Sequence, residues 1–288
     1  MATVESGGGP TVRRILLGSQ LRRLREARGI SREAAGYSIR ASESKISRLE
    51  LGRVSFKERD VADLLTLYGV MDEDERAPLL VLVREANKLG WWHTYADVLP
   101  SWFQPYIGLE EATVLIRTYE VQFVPGLFQT EDYARAIITQ GYKGISAETV
   151  ERRINVRMNR QKLVTILDHP HVWVVVDEAA LRRPIGGPKV MRAQIEYLVT
   201  LTERSNITFQ IMPFHFGSHA AEGGAFSILR FPENDLPEVV YLEQLAGAAY
   251  LDKREDVECY MKAMNRLCID SMSPADSAAA LGRILSEL

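Results

Sequence analysis

Apolar positions recur at helical spacing through the first ninety residues. Leu21 and Leu24 share one face of a helix expected over residues 20–28, which leaves Arg22, Arg23, Arg25 and Arg28 on other faces. Gly29 follows, where a left-handed backbone is least strained. Ser31 reads as the N-cap of a second short helix with Glu33 and Ala34 in its first turn. Ser42 opens a third helix and Gly52 closes it. Ile46 and Leu49, three apart, turn inward, so Glu43, Ser44, Lys45, Ser47 and Arg48 remain outside. Val61, Leu64, Leu65 and Tyr68 predict a fourth helix over 58–68. Leu79, Leu80, Leu82 and Val83 give a wide apolar face within 72–90. Residues 91–105 are irregular and aromatic and read as a seam.

Beyond residue 105 the pattern is mixed. A strand is expected within 114–124, broken by Pro125-Gly126. Helices are expected over 131–140 and 146–163, the second laced with Arg152, Arg153, Arg157 and Arg160. Residues 171–176 are β-branched and aromatic, a strong strand signal. A helix over 189–204 precedes strands at 207–212, 225–231 and 238–243, with Gly or Pro between them, and helices over 253–271 and 274–288 end the chain. That order is α+β rather than an alternating parallel-sheet pattern. The expected organisation is a disordered lead-in over 1–12, an all-α head over 13–70, a helical linker or seam over 71–105 and a larger α+β unit over 106–288.

Charge changes the picture more than composition does. The chain is 46% hydrophobic and 25% charged, ordinary for a globular protein. Its net charge of −3 is divided unevenly. Residues 1–60 hold 13 Lys/Arg against 7 Asp/Glu, or +6, and the other 228 hold 22 against 31, or −9. A basic head on an acidic body is the pattern of a chain whose head alone meets phosphate. Cys259 and Cys268 stand without a CxxC pair, which argues against a zinc finger and a disulfide framework and fits a reducing cytoplasm. No apolar run approaches the roughly 20 residues that span a bilayer, and the Gly-rich N-terminus lacks the pattern of a signal peptide. No membrane association is expected, and no cofactor or metal.

The informative stretch is residues 20–53: a scaffold helix, a tight turn, and a helix whose outer face is polar and small. Such a helix fits the major groove, where its N-terminal residues reach base edges. Leu21, Leu24, Arg25, Gly29, Ser31, Ser42, Ile46, Ser47, Leu49, Glu50 and Gly52 carry a resemblance to the Xre/lambda-repressor-like helix-turn-helix family. The resemblance implies a DNA-reading face of Ser42, Glu43, Ser44, Lys45, Ser47 and Arg48, with Arg53 counted beside it and Arg32 near phosphate at the start of the second helix. It also implies that Glu50 is scaffold, paired with Arg25 of the first helix. Arg48 is suited to bidentate reading of guanine. Glu43 either accepts from a cytosine amino group or repels phosphate. The sequence departs from the family at Arg40, where a turn glycine is usual, at Ala35, where leucine is usual, and at Gly36, which inside a helix costs roughly 1 kcal/mol against Ala. These departures suggest a slightly different helix angle.

The rest of the chain resembles the uncharacterised domain that follows this motif in actinobacterial regulators of the Scr1-type, antitoxin-like group. The matching stretches include residues 124–130, Arg157 with Arg160-Gln161, Asp177-Glu178, Arg182, residues 212–214, and Val240-Tyr241 with Glu243. The resemblance implies a regulator encoded beside a small partner protein. Arg157, Arg160, Gln161, Glu178, Arg182 and His219 are the candidates for contact with a partner or ligand. No GxSxG, HExxH, P-loop or GxGxxG is present, so the chain is not expected to be an enzyme. A cryptic hydrolase would require Asp177, Glu178 and His219 around one cleft. The expected function is a cytoplasmic homodimeric repressor on an inverted repeat in double-stranded DNA. In the alternative, the C-terminal unit senses a small molecule.

Overall fold

A computed structural model describes residues 10–141, 144–165, 170–232 and 238–288. Two compact units divide the chain: one holds residues up to 94 together with 104–112, the other 95–103 together with 113–288.

The first unit is all helical. α1 (Pro10–Ala27) is twice the expected length. Leu17 and Leu21, one helical turn apart, are both buried in the core, and the helix begins at a proline, the residue best suited to a first helical position. Residues 10–12 of the expected lead-in are therefore helical, and residues 1–9 lie outside the described residues. α2 (Arg32–Ser38) and α3 (Glu43–Glu50) start as their serines predict: the Ser31 hydroxyl accepts from Ala34 N and the Ser42 hydroxyl from Lys45 N. α4 (Glu58–Leu67) is followed by α5 (Glu73–Ala86), capped by Asp72. Val83 of α5 is buried with Leu17, Leu21, Ile46, Leu49, Val61, Leu64 and Tyr68, and Leu79, Leu80 and Leu82 pack against that cluster. The head core thus continues past residue 70, because the wide apolar face of α5 is buried on it. α6 (Gln104–Glu111), whose residues from 106 onward the sequence pattern assigns to the larger α+β unit, packs against α1 in this unit.

The second unit is built on a six-stranded mixed sheet, order β3-β2-β1-β4-β5-β6. β1 (Leu115–Glu120), β2 (His171–Asp177) and β3 (Ile207–Met212) are parallel. α7 (Glu131–Gly141) and α8 (Ala147–Thr165) connect the first pair; α9 (Glu178–Arg182) and α10 (Pro188–Thr202) connect the second. β4 (Phe226–Arg230), β5 (Val239–Gln244) and β6 (Gly247–Leu251) continue antiparallel from β1. The architecture is α+β, as the element order predicts. One half of the sheet is nevertheless parallel, which the sequence reading did not anticipate: each crossover holds two helices, and that hides the alternation of strand and helix. α11 (Arg254–Asp270) covers one sheet face, with Val257, Met264 and Leu267 against Tyr119, Val175, Met212, Ile228 and Val240. α12 (Pro274–Glu287) packs on α10 and β3. The Ser277 hydroxyl accepts from Ile211 N, and Met272 N donates to Ile211 O, which satisfies backbone at the β3 edge.

Candidate nucleic-acid interface

The outer face of α3 is shaped by what its inner face must do. Ile46, Leu49 and Glu50 are buried. Ser42, Glu43, Ser44 and Arg48 are exposed, and Lys45 and Ser47 half-buried. Two local features bring α3 close to α2. A Cβ on Gly36 would stand 2.6 Å from Ala41 O, so α2 and the start of α3 meet backbone to backbone and only glycine fits. Arg40 turns the chain at φ 54°, the one positive-φ non-glycine residue among those described. An L-side chain is strained there. The turn itself is closed by Ala41 N donating to Gly36 O at 2.8 Å.

Glu50 is the hub of the scaffold. Arg25 Nε and Nη2 donate to its two oxygens at 2.5 and 3.1 Å, and Arg32 Nε donates to Oε2 at 3.0 Å. Arg25 also holds Ile30 O at 2.8 Å. α1, α2 and α3 are therefore tied at one buried carboxylate, whose hydrogen bond to Arg25 raises that guanidinium above its ordinary range. Burial pushes the nearby Tyr68 hydroxyl up, and the Glu50 charge adds to the shift.

The other cations of the expected reading face are placed individually. Lys45 Nζ is 2.7 Å from Asp60 Oδ2 on α4. Arg48 Nε donates to Ser44 O, one turn back on its own helix, at 3.3 Å, and its side chain is exposed. Arg53 is exposed just past the helix. Arg32 begins α2 as expected but is directed onto Glu50. Two residues beside the face were not among the sequence candidates: Tyr37, 88% exposed, and Arg40, both leading into α3. The signal for Arg40 was its place at a turn where the family has glycine.

The C-terminal candidates fall into three groups. Gln161 is buried and donates to Gly126 O and Gln129 O at 3.0 and 2.6 Å; Arg157 donates to Gln129 Oε1 at 2.7 Å; Arg160 lies 5.0 Å over the Phe103 ring. These three cradle the turn after β1 from within the unit. Glu178 accepts from Phe214 N at 3.0 Å and from Arg182 Nε at 2.6 Å, and Arg182 reaches on to Glu287 at 2.7 Å. Burial alone would raise Glu178, but the Phe214 amide and Arg182 outweigh it and hold the carboxyl below its usual range. His219 Nε2 lies 2.9 Å from the buried Tyr119 hydroxyl, which also reaches Asp177 Oδ2 at 3.5 Å. Asp177 and His219 therefore converge on Tyr119, while Glu178 is engaged elsewhere.

The capped α2–turn–α3 unit with its buried ion-pair hub defines a helix-turn-helix protein, and a family model of a helix-turn-helix domain matches residues 16–79. That match suggests a DNA-binding regulator. The family described as Domain of unknown function (DUF5753) matches residues 103–283, and the chain belongs to it. No curated protein and no solved structure matches the chain. Among the described residues no helix is long and apolar enough to cross a membrane, and no group of three His, Cys, Asp or Glu is placed to hold a metal ion.

Proposed function

We propose that the chain is a sequence-specific transcriptional regulator: a cytoplasmic, Xre-like, dimeric repressor of the antitoxin-like kind, whose C-terminal unit dimerises and binds a small partner protein. The observation that carries the DNA-binding part is the exposed face of α3. Its N-terminus presents Ser42, Glu43 and Ser44, its last turn presents Arg48, and its inner residues are fixed in the head core. Small residues allow close approach to base edges, and the arginine supplies a bidentate donor. Dimerisation follows from energetics. One short helix buries too little for tight binding, and two heads about 34 Å apart on one DNA face gain affinity through effective concentration.

Gel shifts on the chain's own promoter region test this, with an inverted repeat as the expected site. Arg48→Ala should weaken specific binding by about 1–3 kcal/mol and relax base preference at one position of each half-site. Undiminished binding of that variant to every promoter fragment would refute the assignment of α3 as the reading helix. A second reading, in which the C-terminal unit receives a small molecule, is favoured by a buried arginine in its sheet.

A further inference from the structure

Arg117 sits in the middle of β1, on the sheet face that α11 covers, with 8% of its surface exposed. Its Nη1 faces Met261 Sδ at 3.9 Å and its Nη2 faces Cys268 Sγ at 3.5 Å. The guanidinium carbon stands 5.2 Å from the ring centroid of Trp173, its register partner on β2. Nε is buried and has no hydrogen-bond partner among the described residues. Among the described residues no carboxylate pairs with this cation. Sulfur is a weak acceptor, and an aromatic face supplies only part of what water would. Burial pushes the Cys268 thiol up, although Arg117 pulls the other way, so the sulfur stays a neutral thiol and supplies no counter-charge. Buried cations are ordinarily paired because desolvation is so unfavourable.

The polar side chains beside it, Trp173 and Gln210, are hydrogen-bonded. Trp173 Nε1 donates to Gln210 Oε1 at 2.7 Å, and Gln210 donates to Cys268 O and Met272 O at 3.0 and 2.9 Å. These two side chains are satisfied, and the charge is not. Met261, half-buried on α11, is unbranched and flexible, the kind of side chain that repacks to admit a ligand.

We propose that Arg117 is the receptor for a small carboxylate, whose two oxygens replace the sulfur contacts and engage the guanidinium fork. Gln210 ties the same row to the end of α11, so an occupied site bears on the position of that helix. The inference deepens the small-molecule reading of the C-terminal unit and rests on it for its role as a signal.

The test uses the full chain with acetate and benzoate as probes and acetamide and benzamide as neutral controls. In thermal-shift assays either carboxylate should raise Tm by roughly 5–10 °C at a hundredfold excess over its Kd, and the amides should not. Arg117→Met should abolish the rise without lowering the starting Tm, because an apolar side chain of similar volume replaces an unpaired charge. In a Cys259→Ser background, where Cys268 is the remaining thiol, acetate should slow alkylation of Cys268; this measurement decides the matter if the Met variant fails to fold. No rise with either carboxylate, an equal rise with the amides, a rise retained in Arg117→Met, or unprotected Cys268 would overturn the proposal. Neither readout involves DNA, so failure here and failure of the gel shifts are separate results.

Discussion

Replacing Glu50 by alanine is the sharpest perturbation of the head. The carboxylate is almost fully buried, and its removal strands Arg25, whose side chain is 8% exposed, with Ile30 O and the exposed Glu26 as its remaining acceptors among the described residues. Breaking a buried pair at one end costs about 3–5 kcal/mol, far more than the 0–1 kcal/mol of a surface pair. Arg32, one third exposed, loses its partner too but recovers water, so its share is small. The expected loss is therefore about 3–5 kcal/mol, a large fraction of the 5–15 kcal/mol that holds a typical domain. Arg25→Met combined with Glu50→Leu should recover most of it, because both charges leave together. Urea unfolding of the full chain, followed by hydrogen exchange on peptides spanning α1 to α3, reads the head separately from the C-terminal unit. A loss below about 1 kcal/mol in Glu50→Ala would show that the ion pair is solvated in solution and refute the scaffold role assigned to it.

Three further outcomes follow from the geometry. Asp60→Asn frees Lys45, so affinity for any duplex should rise and the slope of log affinity against log salt should steepen by about 0.9; an unchanged slope would place Lys45 away from phosphate. Gly36→Ala gains roughly 1 kcal/mol of helix propensity but drives a Cβ into Ala41 O, so net destabilisation and a larger loss of operator affinity should appear together in melts and gel shifts. Glu120 at the end of β1 is pushed up to about 8 by burial, with the Glu243 charge adding and Arg157 opposing. A carboxyl raised on folding contributes stability that is full below its unfolded value of 4.5 and is lost as pH climbs through about 8, so Tm should fall over that window and Glu120→Gln should flatten the fall.

How much of this was legible in the sequence follows from how local each feature is. Ser31, Ser42 and Gly52 mark helix ends through bonds that span two or three residues, and the structure places α2 and α3 where they indicate. The inward turn of Ile46 and Leu49 is readable for the same reason, from their spacing, whereas the Arg25–Glu50 pair, 25 residues apart, is readable only through the family pattern. The first half of α1 was not, because its apolar positions declare a face only once α3 and α5 are there to receive it. Arg157, Arg160 and Gln161 read in sequence as a charged helix face offered to a partner, and the contacts they make within the unit carry no sequence signal: the acceptors of Arg157 and Gln161 lie some thirty residues upstream on the turn after β1, and Arg160 lies over the Phe103 ring. Arg117 carried no signal at all. In sequence it is one polar residue in a strand, and its isolation is visible only when β2 and α11 surround it with an indole and two sulfurs.

The ion pairs of the head also bear on what its basic charge does. Its charge of +6 suggested a broad attraction to phosphate. Much of that charge is committed inside the head: Arg25 and Arg32 to Glu50, Lys45 to Asp60, Arg22 to Glu26, and Arg28 to the carbonyl of Tyr68. The acids of these pairs are already subtracted in the +6, so the long-range attraction is unchanged; what the pairing lowers is the number of cations poised for direct phosphate contact, and the acidic body opposes the attraction. On the proposed reading, discrimination falls on groups exposed at the turn and on α3, chiefly Arg40, Glu43, Ser44 and Arg48. Under that reading, specificity is gained by keeping sequence-independent affinity low, because each phosphate contact forgone weakens operator and non-operator DNA alike while base contacts favour the operator alone.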